Sequence, residues 1–325
     1  MLVIVAPGQG AQAPGFLTPW LELPGIRDRL AYWSAVTGLD LLRYGTTAEA
    51  EEIRDTAVAQ PLLVSAGLAA AEHLLNGVPG TAAQPVLPDA VAGHSVGEFT
   101  AASISGVLSP EAALVLVTER GRGMAAAATA TATGMTAIMG GDRDEVLSAI
   151  AAAGLTAAND NGSGQVVAAG TTAQLDAFAE NPPARARLRS LPVAGAFHTE
   201  HMAPAVSRLE HVAAGAPVSD PRTRLLSNRD GAVITDGQEY LNRLVAQISA
   251  PVRWDACTTT LADAGVTALI ELPPAGTLTG LAKRGLRGVE TLAVKSPEDL
   301  DRARELVKAH TDGSEAVPST ETVHT

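Results

Sequence analysis

The chain has 325 residues, enough for one large α/β domain or two smaller ones. Hydrophobic residues make up 46% of it and aromatic residues only 3%, so alanine, leucine and valine must fill its core. A net charge of −12 argues against nucleic acid as the main partner, and the single cysteine, Cys257, excludes an internal disulfide framework and a cysteine-rich metal site.

We find no pattern typical of targeting or membrane insertion in the N-terminal apolar stretch or in the longest uncharged stretch of the chain. The N-terminal apolar stretch stops at Pro7-Gly8 without a basic segment, which is too short for a signal peptide. The longest uncharged stretch, 123–141, is mostly Ala, Thr and Gly and is too weakly hydrophobic to cross a bilayer. We therefore expect a soluble, cytoplasmic protein.

The first part of the chain alternates strand and helix patterns. The apolar run Leu2 to Ala6 predicts a strand of a parallel sheet covered on both faces, and Pro7-Gly8-Gln9-Gly10 predicts a turn that exposes backbone amides. Helical patterns follow at 25–37 and 61–75, then a strand at 90–92 and helices to about 127. This alternation predicts an α/β sheet domain.

The rhythm changes from Met135. Strands are predicted at 135–139, 155–159, 165–169 and 187–193, with helices at 144–153 and 172–180. That β-α-β-β-α-β order is the ferredoxin-like unit. The chain then returns to the first domain through a strand at 225–227, helices at 238–247 and 254–264, and a strand at 268–272.

These elements predict three parts. An α/β-hydrolase-like domain with a parallel-sheet core spans 1–127 and 194–311, and a small ferredoxin-like subdomain at 128–193 is inserted in it. Residues 312–325 mix Ser, Thr, Glu and Gly without periodicity, which is typical of a disordered tail.

The pentapeptide Gly93-His94-Ser95-Val96-Gly97 lies between a predicted strand and a predicted helix. A serine on such a corner has its hydroxyl forced out of the sheet, with the positive start of a helix behind it. The pattern also fits a tight turn whose serine only caps the next helix.

A nucleophilic serine would need a base. His198 and His201, at a strand-to-loop boundary, are the candidates, and His198 is favoured because His201 should start a helix. His73 and His211 fall in helical patterns and are expected to be solvated.

Several segments together resemble malonyl-CoA:acyl carrier protein transacylases, the acyltransferase family of fatty acid and polyketide synthases. The matching segments, in chain order, are Pro7-Gly8-Gln9-Gly10, Gly93-His94-Ser95-Val96-Gly97-Glu98, Arg120-Gly121 with Met124, Asn159 and Asn161 before Gly164-Gln165-Val166-Val167, Ala196-Phe197-His198, Pro251-Val252-Arg253-Trp254 and Leu278-Thr279-Gly280-Leu281. A glutamine that often follows the Met124 position is replaced by Ala125, and the usual Gly-Pro-Gly segment reads Pro273-Pro274-Ala275-Gly276.

The resemblance implies a two-step transfer of a malonyl group. Ser95 would attack the thioester, His198 would act as general base and acid, and the backbone amides of Gln9 and Val96 would form the oxyanion hole. No acidic residue stands out as the third member of a catalytic triad with Ser95 and His198. The family implies instead that the main-chain carbonyl of Gln247 orients the histidine.

The resemblance also implies the substrate. Arg120 would bind the free malonyl carboxylate and exclude acetyl groups, although an ordinary charged helix patch with Glu119 and Arg122 is the alternative. Phe197 would narrow the pocket against an α-methyl group, and Met124, Asn159 and Asn161 would complete its lining. No metal or redox cofactor is implied.

The expected partner is acyl carrier protein, which is acidic, so docking needs a local basic surface. Two clusters are candidates, although either could be a solvated patch: Arg185, Arg187 and Arg189, and Lys283, Arg284 and Arg287. We expect a monomer. Two other functions compete, a thioesterase or lipase with an acidic triad member and a catalytically silent scaffold that binds acyl carrier protein.

Overall fold

The computed structural model describes residues 1–76 and 86–311, which form two mixed sheets surrounded by helices. The strands are β1 Leu2–Ala6, β2 Ala90–Gly93, β3 Thr133–Gly140, β4 Thr156–Asp160, β5 Gln165–Thr171, β6 Ala186–Ser190, β7 Arg224–Leu226, β8 Val233–Ile234, β9 Val252–Arg253, β10 Ala268–Glu271 and β11 Glu290–Ala293. The helices are α1 Ile26–Thr37, α2 Leu41–Thr46, α3 Thr56–Leu75, α4 Gly97–Ser105, α5 Pro110–Ala128, α6 Arg143–Ala152, α7 Thr172–Glu180, α8 Ala203–Ala213, α9 Gly237–Ala246, α10 Trp254–Asp263, α11 Thr277–Gly285 and α12 Leu300–Thr311.

The first sheet has the strand order β11-β10-β1-β2-β7-β8, parallel except for the last strand. Along β1, Leu2 and Ile4 face the core beneath α3, α4 and α5, while Val3 and Val5 face the second core, which contains Trp254. Both faces are therefore covered, which is why β1 reads as an unbroken apolar run. The predicted α/β class is confirmed, although the sheet is mixed and not purely parallel, because β8 pairs antiparallel with β7.

The second sheet has the order β6-β3-β5-β4-β9. Its first four strands pair antiparallel and come from one stretch of chain, with α6 and α7 between them. The fifth strand, β9, comes from much later in the chain and pairs parallel with β4 through Asn159↔Val252 and Asp160↔Arg253. The sequence did not predict β9, since a two-residue strand carries no periodicity.

The boundary between the sheets is also bridged by charge. Arg143 at the start of α6 pairs with the buried carboxylate of Asp160, at 2.6 Å, and with Asp255 on α10, at 3.3 Å. Asp255 in turn pairs with Arg253 on β9. Strand pairing and ion pairs therefore hold the second sheet against the first.

Some of the predictions are wrong in detail. Helix α3 begins at Thr56 instead of 61, because Asp55 caps it by accepting a hydrogen bond from the Ala57 amide, and Pro61 lies inside the helix. Strand β6 ends at Ser190 instead of 193. His73, expected in solvent, is 5% exposed and hydrogen-bonds to the carbonyls of Ala69 and Pro24, because α3 is buried on nearly all sides.

Within the described residues, α3 is also the helix long and apolar enough to cross a membrane, and 94% of its apolar window is buried inside the protein. The tail predicted at 312–325 lies outside the described residues.

Candidate active site

The Gly-x-Ser-x-Gly segment forms a sharp corner between β2 and α4. Ser95 has a φ of +53°, in the left-handed region that costs a residue with a side chain about 1–2 kcal/mol. The flanking glycines are required by close approach: a Cβ on Gly93 would lie 2.0 Å from the Gly97 carbonyl carbon, and one on Gly97 would lie 2.2 Å from the Ala6 oxygen. The predicted strand-to-helix corner is confirmed.

Asn228, which follows β7, holds this corner in place. Its side-chain oxygen accepts a hydrogen bond from the Ser95 amide at 2.7 Å, and its Nδ2 donates to the Gly93 carbonyl at 2.7 Å. Asn228 is fully buried. Sequence reasoning missed this residue, because 133 positions separate it from Ser95.

His198 is the histidine that hydrogen-bonds to Ser95, with 2.7 Å between Nε2 and Oγ. Its Nδ1 lies 2.8 Å from the main-chain oxygen of Gln247. Since a carbonyl oxygen can only accept, Nδ1 carries the proton and Nε2 is free to accept the Ser95 hydroxyl proton. His201 makes no hydrogen bond to Ser95 and lies in the turn Glu200–Met202.

The environment of His198 strongly favours the neutral imidazole. Burial, and after it the charge of Arg120, lower its pKa to about 3 against the opposing effect of the Gln247 carbonyl. At neutral pH the ring therefore directs a free, unprotonated Nε2 lone pair at the serine.

Arg120 lies on α5 with 1% of its surface exposed, so the exposed charged patch considered as an alternative is not what the structure shows. Nη1 donates to Oε1 of Gln60 at 2.7 Å, and Nη2 donates to Oε1 of Gln247 at 2.8 Å. Nη2 is also 3.5 Å from Ser95 Oγ, and no described residue accepts from Nε. Two neutral amides thus hold a buried cation beside the serine without neutralising it.

Arg122, two positions along, is in a different setting. It pairs with Glu119 at 2.9 Å, donates to the Thr37 carbonyl at 3.1 Å and leaves 40% of its side chain exposed. Two positions on a helix correspond to about 200° of rotation, which separates the buried arginine from an ordinary surface ion pair.

Glu98 is a buried carboxyl group that sequence reasoning quoted in a motif but gave no role. Its two oxygens accept hydrogen bonds from the Asn228 amide, at 2.7 Å, and from Nε2 of Gln247. Burial raises its pKa to about 8, while the Asn228 amide and the charge of Arg120 lower it. Glu98 contacts the side chain of Gln247, and the main chain of that residue contacts His198.

A cavity of about 90 Å³ opens in front of Ser95 and His198. Its lining includes Phe197, Met124 and Asn159, three of the predicted pocket residues. Asn161, the fourth, is buried next to it, where its side-chain oxygen accepts a hydrogen bond from Nε2 of His94 at 2.8 Å. This bond connects the nucleophile corner to the end of β4.

The loop after β1 packs against the same corner. A Cβ on Gly8 would lie 2.9 Å from Nδ1 of His94 and 3.1 Å from its main-chain oxygen, so the backbone there approaches as closely as glycine allows. Gln9 lines the cavity and Val96 is the residue before α4. Within residues 1–76 and 86–311, neither of their main-chain amides donates to a protein acceptor.

The two basic clusters lie on the surface. The side chains of Arg185, Arg187, Arg189, Lys283, Arg284 and Arg287 are exposed. The first cluster runs along the edge strand β6 and the loop before it. The second lies at the end of α11, where Gly285 is close to Ser163 of the second sheet's β4–β5 turn. In the described part of the chain, none of the six forms a salt bridge.

No group of three or more His, Cys, Asp or Glu side chains suited to a metal ion occurs among the residues that the structure describes.

Comparisons with known proteins identify a family for the chain. The family model described as "Acyl transferase domain" matches residues 3–316. A malonyl CoA-acyl carrier protein transacylase of Mycobacterium bovis is 52% identical over 306 residues, which are 94% of this chain and 100% of that protein. The crystal structure of MCAT from Mycobacterium tuberculosis has a TM-score of 0.87 and 50% identity, covering 93% of this chain and 99% of that one. A complex of a type II PKS acyl-carrier protein with its malonyl-transacylase, PlMCAT:AntF, has a TM-score of 0.85 and 30% identity, covering 94% and 99%.

Proposed function

The chain belongs to the acyl transferase family, and on that premise we propose that its Ser95–His198 pair carries a malonyl group from malonyl-CoA to acyl carrier protein. The protein is an acyltransferase, a malonyl-CoA:acyl carrier protein transacylase that supplies fatty acid synthesis. The observation that supports the residue roles is the neutral His198 hydrogen-bonded to Ser95 next to a buried, unneutralised Arg120.

The reaction has two half-reactions at the same serine. Ser95 Oγ attacks the thioester carbon while His198 Nε2 takes the hydroxyl proton. The C–S bond then breaks, and His198 returns the proton to the leaving thiolate, which gives malonyl-serine and free coenzyme A. In the second half-reaction His198 deprotonates the phosphopantetheine thiol of the carrier protein, whose sulfur attacks the ester and releases Ser95.

The amides of Gln9 and Val96 form the oxyanion hole of both tetrahedral intermediates. They are supported in this role by having no protein acceptor among the described residues and by lying at the cavity and at the start of α4. The start of a helix adds a positive partial charge where the oxyanion develops. Gln247 orients His198 through its main-chain oxygen, as the 2.8 Å contact supports.

Arg120 binds the free carboxylate of the malonyl group. A guanidinium forms a bidentate pair with a carboxylate, and acetyl would leave the cation unpaired in a buried site. Phe197, Met124 and Asn159 limit the acyl group to one that fits a cavity of about 90 Å³, and Asn161 holds His94 beside it.

The first four strands of the second sheet, with α6 and α7, form a ferredoxin-like subdomain at 128–193, inserted in an α/β-hydrolase-like domain of 1–127 and 194–311. The order β6-β3-β5-β4, antiparallel with two helices, supports the first assignment. The parallel sheet with a serine at a strand-to-helix corner supports the second.

Acyl carrier protein docks on one of the two basic clusters, and malonyl-CoA is used without a metal or redox cofactor. The protein acts as a cytoplasmic monomer, and the same malonyl carrier protein can also feed polyketide synthesis, as PlMCAT does with a type II PKS acyl-carrier protein. Charge reversal at Arg284 and Arg287 or at Arg187 and Arg189 should raise the KM for carrier protein and not that for malonyl-CoA. The exposed Arg27, reversed in the same way, is the control.

Mass spectrometry of the intact protein tests the function. Incubation with malonyl-CoA should add one malonyl group at Ser95, and carrier protein should then remove it. Rapid loss of the adduct to water would indicate a thioesterase or lipase, and no adduct would indicate a silent scaffold that binds carrier protein.

A further inference from the structure

The main chain and side chain of Gln247 make hydrogen bonds in three directions. Its main-chain oxygen accepts from His198 Nδ1 at 2.8 Å, and its side-chain Oε1 accepts from Arg120 Nη2 at 2.8 Å. Its Nε2 donates to Oε2 of Glu98. One residue therefore joins the general base, the buried cation and a buried carboxyl group.

The direction of the Gln247 amide matters because its two ends are not equivalent. A guanidinium has only donors, so the amide must present its oxygen to Arg120 and its nitrogen to the opposite side. Glu98 lies on that side and supplies the acceptor. With an apolar group there, the NH₂ group would keep only a longer contact, 3.4 Å to Oδ1 of Asn228, which is unfavourable for a buried donor.

Glu98 is itself held firmly. Its other oxygen accepts from the main-chain amide of Asn228 at 2.7 Å, and the residue is 1% exposed. A carboxyl group fixed in this way cannot turn away from Gln247 without breaking a buried hydrogen bond. The positions of Glu98, Gln247 and Arg120 are therefore coupled.

We propose that Glu98 is a positioning residue for substrate selection: it fixes the amide of Gln247 and, through that amide, aims the Arg120 guanidinium at the carboxylate of the acyl group. This role rests on the proposed function of Arg120. It is separate from the general base, because the Gln247 group that contacts His198 is main chain and remains when the side chain is changed.

Glu98 also contacts Asn228, which holds the Ser95 amide, so a variant could disturb the nucleophile instead of the cation. The two effects differ in their substrate dependence. Damage to the nucleophile corner slows every acyl donor equally, whereas misplacing Arg120 slows only donors that carry a free carboxylate.

The test measures the rate of Ser95 acylation by intact mass with malonyl-CoA and with acetyl-CoA. For Glu98→Gln we expect malonyl kcat/KM to fall about tenfold or more, mainly through KM. An amide offers one acceptor oxygen to the two donors of Asn228 and Gln247, so one buried donor loses its acceptor. The rate of acetyl loading should stay within about twofold of that of the unmodified protein, which is the usual error when the effects of separate substitutions are added. Glu119→Gln removes a negative charge next to Arg120 in sequence without contacting Gln247, and should change neither rate.

A double-mutant cycle tests the route through Gln247. Gln247→Met keeps the main-chain carbonyl and removes the side-chain hydrogen bonds to Arg120, Glu98 and Asn228, so it should lower the malonyl-to-acetyl ratio as Glu98→Gln does. The double variant should be no worse than Gln247→Met alone. Equal losses of malonyl and acetyl loading, fully additive effects, or an unchanged ratio would each overturn the proposal.

Misfolding of a variant and failure of the proposed function can each be recognised separately. If circular dichroism shows that Glu98→Gln does not fold, Glu98→Asp keeps the carboxyl group but shortens its reach to Gln247, and it gives the same comparison. If the unmodified protein forms no malonyl adduct at Ser95, the proposed function itself fails, and the variants are not needed to show it.

Discussion

Nη2 of Arg120 lies 3.5 Å from Oγ of Ser95, so a buried cation and the serine hydroxyl share one small cavity. An acyl group attached to Ser95 would therefore carry its own free carboxylate toward the guanidinium. Acyl groups without a carboxylate leave a charged group unpaired in a site from which water is largely excluded, which is costly. Under the proposed function, this adjacency would let one serine accept a thioester and discriminate between its acyl groups.

Removing the cation should weaken malonyl loading selectively. We expect Arg120→Ala to lower malonyl kcat/KM by about 30-fold or more, because losing one partner of a buried charge pair costs roughly 2–5 kcal/mol and each 1.4 kcal/mol is tenfold. Acetyl loading should fall far less, so the preference for malonyl declines. The matched control is Arg122→Ala on the same helix, whose side chain pairs with Glu119. An unchanged malonyl-to-acetyl ratio in Arg120→Ala would refute the assignment.

In the pH–rate profile of the first half-reaction, the acid limb should have an apparent pKa well below the ordinary histidine value of about 6.5. Burial and the Arg120 charge lower the pKa of His198 to about 3, so the base stays neutral as pH falls from 7 to 5. Single-turnover acylation at low malonyl-CoA, which reports kcat/KM, should be flat over that range. In Arg120→Gln the limb should move upward toward 6.5, because the second-largest cause of the low pKa is removed. A limb near 6.5 in the unmodified protein would contradict this environment for His198.

The same shift predicts how His198 affects stability. The pKa is lower in the folded state than in the unfolded state, so the stability contributed by the neutral ring is fully present above about 6.5 and is lost as pH falls toward about 3. His198→Gln, which cannot charge, should therefore lose less stability than the unmodified protein between pH 6 and pH 4. Urea unfolding midpoints at several pH values measure the difference, and parallel pH profiles would be the opposite result.

Phe197 should set the upper size of the acyl group. Replacing it by serine removes a buried ring from the cavity in front of Ser95 and leaves room for an α-methyl group. We expect methylmalonyl-CoA loading to rise about tenfold relative to malonyl-CoA, since one methyl group in an apolar pocket is worth roughly 1–3 kcal/mol. Competition between the two thioesters, read by adduct mass, gives the ratio directly. Equal use of both by the unmodified protein would exclude this role for Phe197.

Gly8→Ala should slow acylation without unfolding the protein. The added Cβ would lie 2.9 Å from the His94 ring, which pushes the loop that carries Gln9 away from the serine corner. Complete loss of an oxyanion donor costs about 10²–10³ in rate, and a displaced donor should cost part of that with malonyl and acetyl affected alike. Gly280→Ala, where a Cβ meets nothing within 4 Å, is the control for a glycine replacement as such. Full activity of Gly8→Ala would exclude the loop from the oxyanion hole.

Local sequence was enough to predict the elements that carry the site. The apolar run of β1, the glycine-flanked Ser95 corner and the β-α-β-β-α-β order all depend on residues close together in the chain, and each is present in the structure. The predicted start of α3 at 61 is wrong, since Asp55 already caps the helix and Pro61 lies inside it.

The sequence by itself determined where a serine could be exposed, since steric limits on a tight turn act between neighbouring residues. Only the tertiary structure decided which groups meet that serine. His198 rather than His201, and Arg120 rather than Arg122, follow from the packing of loops and helices. Gln60 and Asn228 entered the site without any local signal, and Glu98 lies in the serine motif but has its partners far along the chain. Their hydrogen bonds span from 60 to 149 positions of the chain, and such contacts are selected by the burial of whole elements, which no short stretch of sequence encodes.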